Sequence, residues 1–267
     1  MVSREPPSSW DPPRQGRWPW FGAFAFLFLV ASQTVAIVTS PPDRDMGDLE
    51  KILYVHVPAA WIMSLTFAVV MFYSLRYLWK GRETDDLAAA SAAEVGTLFN
   101  GLTLLLGMLW GKPAWGVWWA WDARLTSTLV LFLIFVGYLS LRAFVDEPER
   151  RAQWSAAVGI LGAINVPIVY MSVRWWRTLH QVQSSPDTVA GIYVLSLRAN
   201  AFAFLFVMIY LVRRRYEAAC LDRAADHAER RGLLGVIGGY WLHVHRVLKL
   251  ARARYEHATS QREGAAK

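Results

Sequence analysis

The chain has 267 residues, of which 55% are hydrophobic and 18% are charged, and its mean hydropathy is positive. This composition excludes an ordinary soluble domain, which is more charged and less apolar. The formal charge of +7 does not indicate nucleic-acid binding, because the basic residues lie at the ends of apolar stretches and in the C-terminal tail. The single cysteine, Cys220, excludes an intrachain disulfide. No CxxCH motif is present, so the chain is not itself a c-type cytochrome.

Taken in order, the chain begins with residues 1–19, which are polar and rich in proline and predict a disordered lead. Six apolar stretches follow within residues 20–212, each long enough to cross a hydrocarbon core that needs about 20 helical residues. The sequence therefore predicts an all-α, polytopic membrane protein with six transmembrane helices. The apolar stretches are 20–39, 54–79, 88–109, 125–144, 154–173 and 190–212.

Lysine and arginine are concentrated on one set of connections between these stretches. The segments before the first stretch and after the second, fourth and sixth are rich in basic residues, as at Arg213, Arg214 and Arg215. The opposite connections are poorer in them. By the positive-inside rule, we expect both termini in the cytoplasm and the connection at 110–124 on the outer face. The remainder, 213–267, is predicted to be a basic cytoplasmic tail with helical segments.

The connection between the third and fourth stretches is unusually rich in tryptophan. It reads "WGKPAWGVWWAWDAR" at residues 110–124, and five of these residues are tryptophan. One or two would be typical of an aromatic belt at the membrane surface. If the segment is helical, three of them share one face with an aspartate, and such a flat apolar surface suits a porphyrin better than lipid chains. This face would hold Trp115, Trp118, Trp119 and Asp122, with Trp121 beside it.

Other residues of the tryptophan-rich segment each have two interpretations. Asp122 caps the fourth helix, belongs to the site, or does both. Lys112 and Arg124 meet either the carboxylates of a ligand or the phosphates of lipids. Trp110 belongs either to the aromatic surface or to the aromatic belt.

Two of the six histidines lie outside the C-terminal tail. His56, in "YVHVPAAW", is at the outer end of the second stretch, and His180, in "RWWRTLHQ", follows the fifth. A lone histidine at the interface is at home there without a metal. Two of them on one face, on either side of the aromatic surface, predict axial ligands for a porphyrin iron, with one histidine on each side of the ring.

Together these motifs resemble the cytochrome c maturation protein C family (CcmC, haem exporter protein C), which belongs to the haem-handling proteins. The likeness runs from about the first stretch through His180 and includes "YVHVPAAW" and "SVRWWRTLHQ". The segment "WGVWWAWD" fits the family's WGxxWxWD pattern. The residues at the specified positions are Trp115, Gly116, Trp119, Trp121 and Asp122.

The resemblance implies a haem-transfer component rather than an enzyme. Haem b would be bound non-covalently at the periplasmic face of the bacterial inner membrane, with His56 and His180 as axial ligands and the tryptophan-rich segment as platform. Members of the family pass haem to the periplasmic haem chaperone CcmE, for c-type cytochrome biogenesis. They work with the ATP-binding cassette pair CcmA and CcmB and with the small membrane protein CcmD.

Two other classes of protein remain as alternatives. A cytochrome c synthetase with the same tryptophan-rich motif would be an enzyme that joins haem to cysteines, although such relatives usually have more spans and more histidines. A b-type electron-transfer subunit would hold its haem between the spans, with histidines deep in the helices. Here both candidate histidines are expected at helix ends.

Overall fold

The computed structural model describes residues 19–180, 191–230 and 249. The predicted disordered lead, except for Pro19, and most of the tail after residue 230 lie outside the described residues. Within them the chain forms helices and no β-strand. The long helices are α1 (Pro19–Thr39), α2 (Leu53–Lys80), α3 (Glu83–Trp115), α4 (Ala123–Phe144), α5 (Pro148–Trp175) and α6 (Gly191–Arg230), and a short 3₁₀ helix (Asp48–Ile52) precedes α2.

All six long helices contain a segment long and apolar enough to cross a membrane. This confirms the prediction of an all-α, multi-pass membrane protein. The chain divides into two compact units. The larger, residues 15–219, is the helical bundle, and the smaller comprises residues 1–14 and 220–267, of which 220–230 are described as helical. The side of the membrane on which each terminus lies stays a prediction.

Helix α3 begins five residues before its predicted apolar stretch, because two acidic side chains in its first turn are buried. Arg142 Nη1 and Nη2 donate to the two carboxylate oxygens of Asp86 at 2.6 and 3.0 Å. The guanidinium of Arg76 lies 3.2 Å from Asp85. A paired, doubly hydrogen-bonded carboxylate can be buried at a helix end where an isolated one could not. These pairs join α3 to α2 and α4.

The core of the bundle is built on two stacked phenylalanine rings. The rings of Phe67 in α2 and Phe135 in α4 are nearly parallel, with centroids 3.8 Å apart. Each ring packs against a glycine of a neighbouring helix. A Cβ at Gly96 of α3 would lie 2.7 Å from the Phe67 ring, and one at Gly162 of α5 would lie 2.8 Å from the Phe135 ring. Small residues at these crossings let the helix backbones approach closely, as is common in membrane bundles.

Candidate functional site

A cavity of about 660 Å³ lies where the α1–α2 and α3–α4 connections and the end of α5 meet, which we term the cavity end of the bundle. Its volume is within the range of about 300–1,000 Å³ that is usual for small-molecule sites. Side chains from α2, α3, α4 and α5 form its walls. The residues predicted from sequence that line it are His56, Trp115, Trp119, Arg124 and His180.

His56 reaches the cavity from the first turn of α2 and is buried. The ring of Trp110 lies against it in a T-shaped arrangement, with centroids 5.6 Å apart. Gly107, one turn before Trp110 on α3, leaves room for the imidazole, because a Cβ there would lie 3.2 Å from His56 Cε1. Within the described chain, His56 Nδ1 is buried and has no hydrogen-bond partner.

His180 enters the same cavity from the segment that follows α5. The ring of Trp115 lies beside it, with centroids 4.8 Å apart and a tilt of 58°. His180 Nδ1 is 3.8 Å from Asp122 Oδ2, which is beyond hydrogen-bond distance. Like that of His56, this nitrogen is buried without a hydrogen-bond partner among the residues described. The structure thus brings two imidazoles with unused ring nitrogens to one cavity.

Asp122 joins the start of α4 to the segment that carries His180. Its Oδ1 accepts from Leu125 N at 2.8 Å, so the predicted N-cap is confirmed. Its Oδ2 accepts from Thr178 Oγ1 at 2.6 Å and from Leu179 N at 3.0 Å. His180 N in turn donates to Thr178 Oγ1 at 3.1 Å. One carboxylate therefore fixes both the start of α4 and the backbone of the segment that carries His180.

The ionisation of Asp122 follows from these contacts. Partial burial raises the pKa of Asp122, but the nearby His180 ring and the donors of Thr178, Leu125 and Leu179 lower it by more. The net effect holds the pKa well below the usual range of an aspartate, because hydrogen bonds favour the charged form. The carboxylate is therefore ionised at neutral pH, and its negative charge lies next to the cavity.

The tryptophan-rich segment is not one helix, and the predicted helical face of Trp115, Trp118, Trp119 and Asp122 is not formed. Helix α3 ends at Trp115, and Gly116 follows in a left-handed conformation with φ of 77°. Glycine adopts this conformation without strain and commonly ends helices. Residues 116–122 then run to α4 without helical structure. The separation of the tryptophans is therefore set by an irregular loop.

The loop divides the predicted site residues into two groups. Trp119 lines the cavity, whereas the side chains of Trp118 and Trp121 are 53% and 77% exposed and do not. Lys112 does not line it either, because its ammonium donates to the carbonyl of Gly116 at 2.9 Å and caps the end of α3. The expected contacts of these residues with a ligand stay predictions.

Trp110 has two interpretations from its sequence, and no sequence pattern predicts the acidic rim of the cavity. Trp110 is a cavity wall, as its contact with His56 shows. Glu50, Asp43 and Asp45 line the rim. Hydrogen bonds from the backbone of Met46 and Asp45 lower the pKa of Asp43, so this turn is negatively charged. No sequence pattern marks Trp110 or Glu50 as a cavity residue, because the contact of Trp110 with His56 depends on how α2 and α3 pack.

The described residues define a multi-pass membrane protein with a cavity at one end of a bundle of six long helices, walled by tryptophans and flanked by two histidines. The family model described as heme exporter protein C (CcmC) matches residues 7–231. The chain belongs to this family.

Individual relatives agree with this assignment. A protein of Bradyrhizobium diazoefficiens named heme exporter protein C is 40% identical over 205 residues, which cover 74% of this chain and 78% of that protein. Its namesake in Escherichia coli K12 is 34% identical, with coverage of 74% and 81%. A ccmC-like mitochondrial protein of cytochrome c biosynthesis from Marchantia polymorpha is 34% identical, with coverage of 72% and 84%.

Proposed function

We propose that the cavity binds haem b non-covalently, with His56 and His180 as the axial ligands of the iron. The observation that carries this proposal is the convergence of both imidazoles, each with a buried ring nitrogen that has no partner in the described chain, on one cavity of 660 Å³. Within the described residues, no group of three or more His, Cys, Asp or Glu side chains could hold a metal ion. Two protein ligands are enough for haem iron, because the porphyrin supplies the other four.

The remaining walls of the cavity suit the rest of the haem molecule. The indoles of Trp110, Trp115 and Trp119 offer flat apolar surfaces to the porphyrin, each worth about 0.5–1.5 kcal/mol beyond simple burial. Arg124 lines the cavity, and guanidinium groups bind carboxylates such as haem propionates with charge-assisted hydrogen bonds. Asp122 holds the His180 segment against the start of α4, which fixes the position of the second iron ligand.

The direction of transfer is also part of the proposal. The cavity end faces the periplasm and both termini are cytoplasmic, a topology that the positive-inside pattern supports. The protein lies in the bacterial inner membrane, a location that its membership of the heme exporter protein C family supports. The chain hands haem to the periplasmic chaperone CcmE for c-type cytochrome biogenesis and works with CcmA, CcmB and CcmD. The names of its relatives, heme exporter protein C and a ccmC-like protein of cytochrome c biosynthesis, support this role as a transport component.

Co-purification from haem-replete membranes tests the delivery step. The wild-type chain is expected to bring down both haem and a periplasmic haem chaperone. His56→Ala should lose most of the haem, whereas His227→Ala, a matched histidine change in the smaller unit, should retain it. Recovery of haem with redox proteins and without the chaperone would contradict delivery and favour an electron-transfer subunit.

A further inference from the structure

A second recess, which we term the groove, lies between α3 and α4 next to the cavity. Its volume is about 430 Å³, and none of the residues that line it in the described chain is charged. The lining residues are Gly101, Leu104 and Met108 of α3, Leu129 and Phe132 of α4, and Trp119 and Trp121 of the connection.

The groove and the cavity have wall residues in common. Trp119 and Leu104 line both of them. The indole Nε1 of Trp119 has no hydrogen-bond partner among the described residues, and the backbone around it is not helical. Its ring contacts that of Trp121 edge to face, with centroids 5.5 Å apart. Within the described residues, this indole is therefore held by packing and not by a hydrogen bond.

The groove opens on the lipid-facing side of the bundle. Leu105 and Leu133, its neighbours on α3 and α4, are 56% and 57% exposed on segments that cross the membrane. The groove is deeper at Gly101, which has no side chain to fill it; a Cβ there would lie 3.3 Å from the ring of Phe132. From there to Met108 the helix rises by about 10 Å. A flat apolar molecule dissolved in this half of the bilayer therefore meets an apolar recess with an aromatic inner wall.

We propose that the groove is a lateral entrance through which haem passes from the bilayer into the cavity, with the indole of Trp119 as a movable partition. This inference rests on the proposed haem binding. The apolar edge of the porphyrin enters between Leu104 and Leu129, while its carboxylates stay near the membrane surface, at the level of Trp121. A lipid acyl chain would also fit the groove, but it has no group that could bind to the histidines or to Arg124 in the cavity.

Blocking the groove without touching the cavity tests the entrance. Leu129 and Met108 line the groove only, so Leu129→Trp and Met108→Trp fill it from opposite sides. Leu133→Trp and Leu105→Trp are matched controls, because these leucines are exposed to lipid and line neither recess. Each apo-protein is reconstituted in vesicles and given either haem dissolved in the bilayer or iron coproporphyrin, whose four carboxylates keep it in water. The growth of the Soret band gives the loading rate.

Both groove variants should load bilayer haem about tenfold more slowly than their controls, which corresponds to about 1.4 kcal/mol of added barrier. Their final haem occupancy and their rate with iron coproporphyrin should match the controls, which also shows that they are folded. Equal rates of haem loading in groove and control variants, or equal slowing with both porphyrins, would overturn the proposal of a lateral entrance. If the wild type bound neither porphyrin, the proposed haem site itself would fail.

Discussion

Thr178 donates a hydrogen bond of 2.6 Å to Asp122, a residue 56 positions away in the sequence. Asp122 belongs to the tryptophan-rich segment, and Thr178 lies two residues before His180. Since the other oxygen of Asp122 caps α4, the position of one candidate iron ligand depends on a residue of the tryptophan motif. The carboxylate of Asp122 thus links the tryptophan-rich segment to the segment that carries His180.

Thr178→Val should loosen the His180 segment, because valine has nearly the same shape but cannot donate to Asp122. A hydrogen bond to a charged group contributes about 1.5–3 kcal/mol, so local opening should become at least about tenfold more frequent. Hydrogen exchange at the amide of Leu179 measures it, because the bond from this amide to Asp122 is not removed by the substitution. Thr39→Val, whose exposed hydroxyl bonds only within α1, is the control. Equal protection in the two variants would contradict the tether.

The same tether has a predictable pH dependence. Because the pKa of Asp122 is lowered on folding, its charge stabilises the protein above the unfolded pKa of about 3.9, and this contribution is lost as the pH falls through the folded value. Asp122→Asn lacks the titrating group. The difference in melting temperature between wild type and Asp122→Asn should therefore shrink as the pH falls below about 4. A difference that stayed the same from about pH 5 down to about pH 2 would contradict this account.

The close contact of α3 with the stacked phenylalanines predicts opposite effects of two identical substitutions. Gly96→Ala places a Cβ 2.7 Å from the Phe67 ring, so it should destabilise the bundle by about 1–3 kcal/mol. Gly137→Ala in α4 meets nothing within 4 Å, so it should be neutral or stabilise by about 0.4–1 kcal/mol. Thermal unfolding in detergent measures both. A stabilising Gly96→Ala would show that this contact does not limit packing.

The six spans could be predicted from sequence because each contains a long, predominantly apolar stretch. The start of α3 could not, since Asp85 and Asp86 look like loop residues. They are buried only because Arg76 and Arg142 pair with them, and Arg142 is 56 residues away from its partner. Pairings of this kind depend on the packing of helices, which a hydropathy pattern does not contain.

The site was predictable to the extent that it depends on residue type and on helix ends. His56 and His180 line one cavity as their positions at the ends of spans suggested. The predicted helical arrangement of the tryptophans was wrong, because it requires one helix to continue through Gly116. This glycine has a left-handed conformation and ends α3. Trp110 was left undecided because only the packing of α2 against α3 places its ring against His56.

The absorption spectrum of the purified protein tests the central claim, that His56 and His180 ligate haem iron in the cavity. The wild type is expected to carry non-covalent, b-type haem, and His56→Ala and His180→Ala should each shift or abolish its Soret and visible bands, while His227→Ala leaves them unchanged. Soret and visible bands identical to those of the wild type in both cavity variants would contradict the ligand assignment.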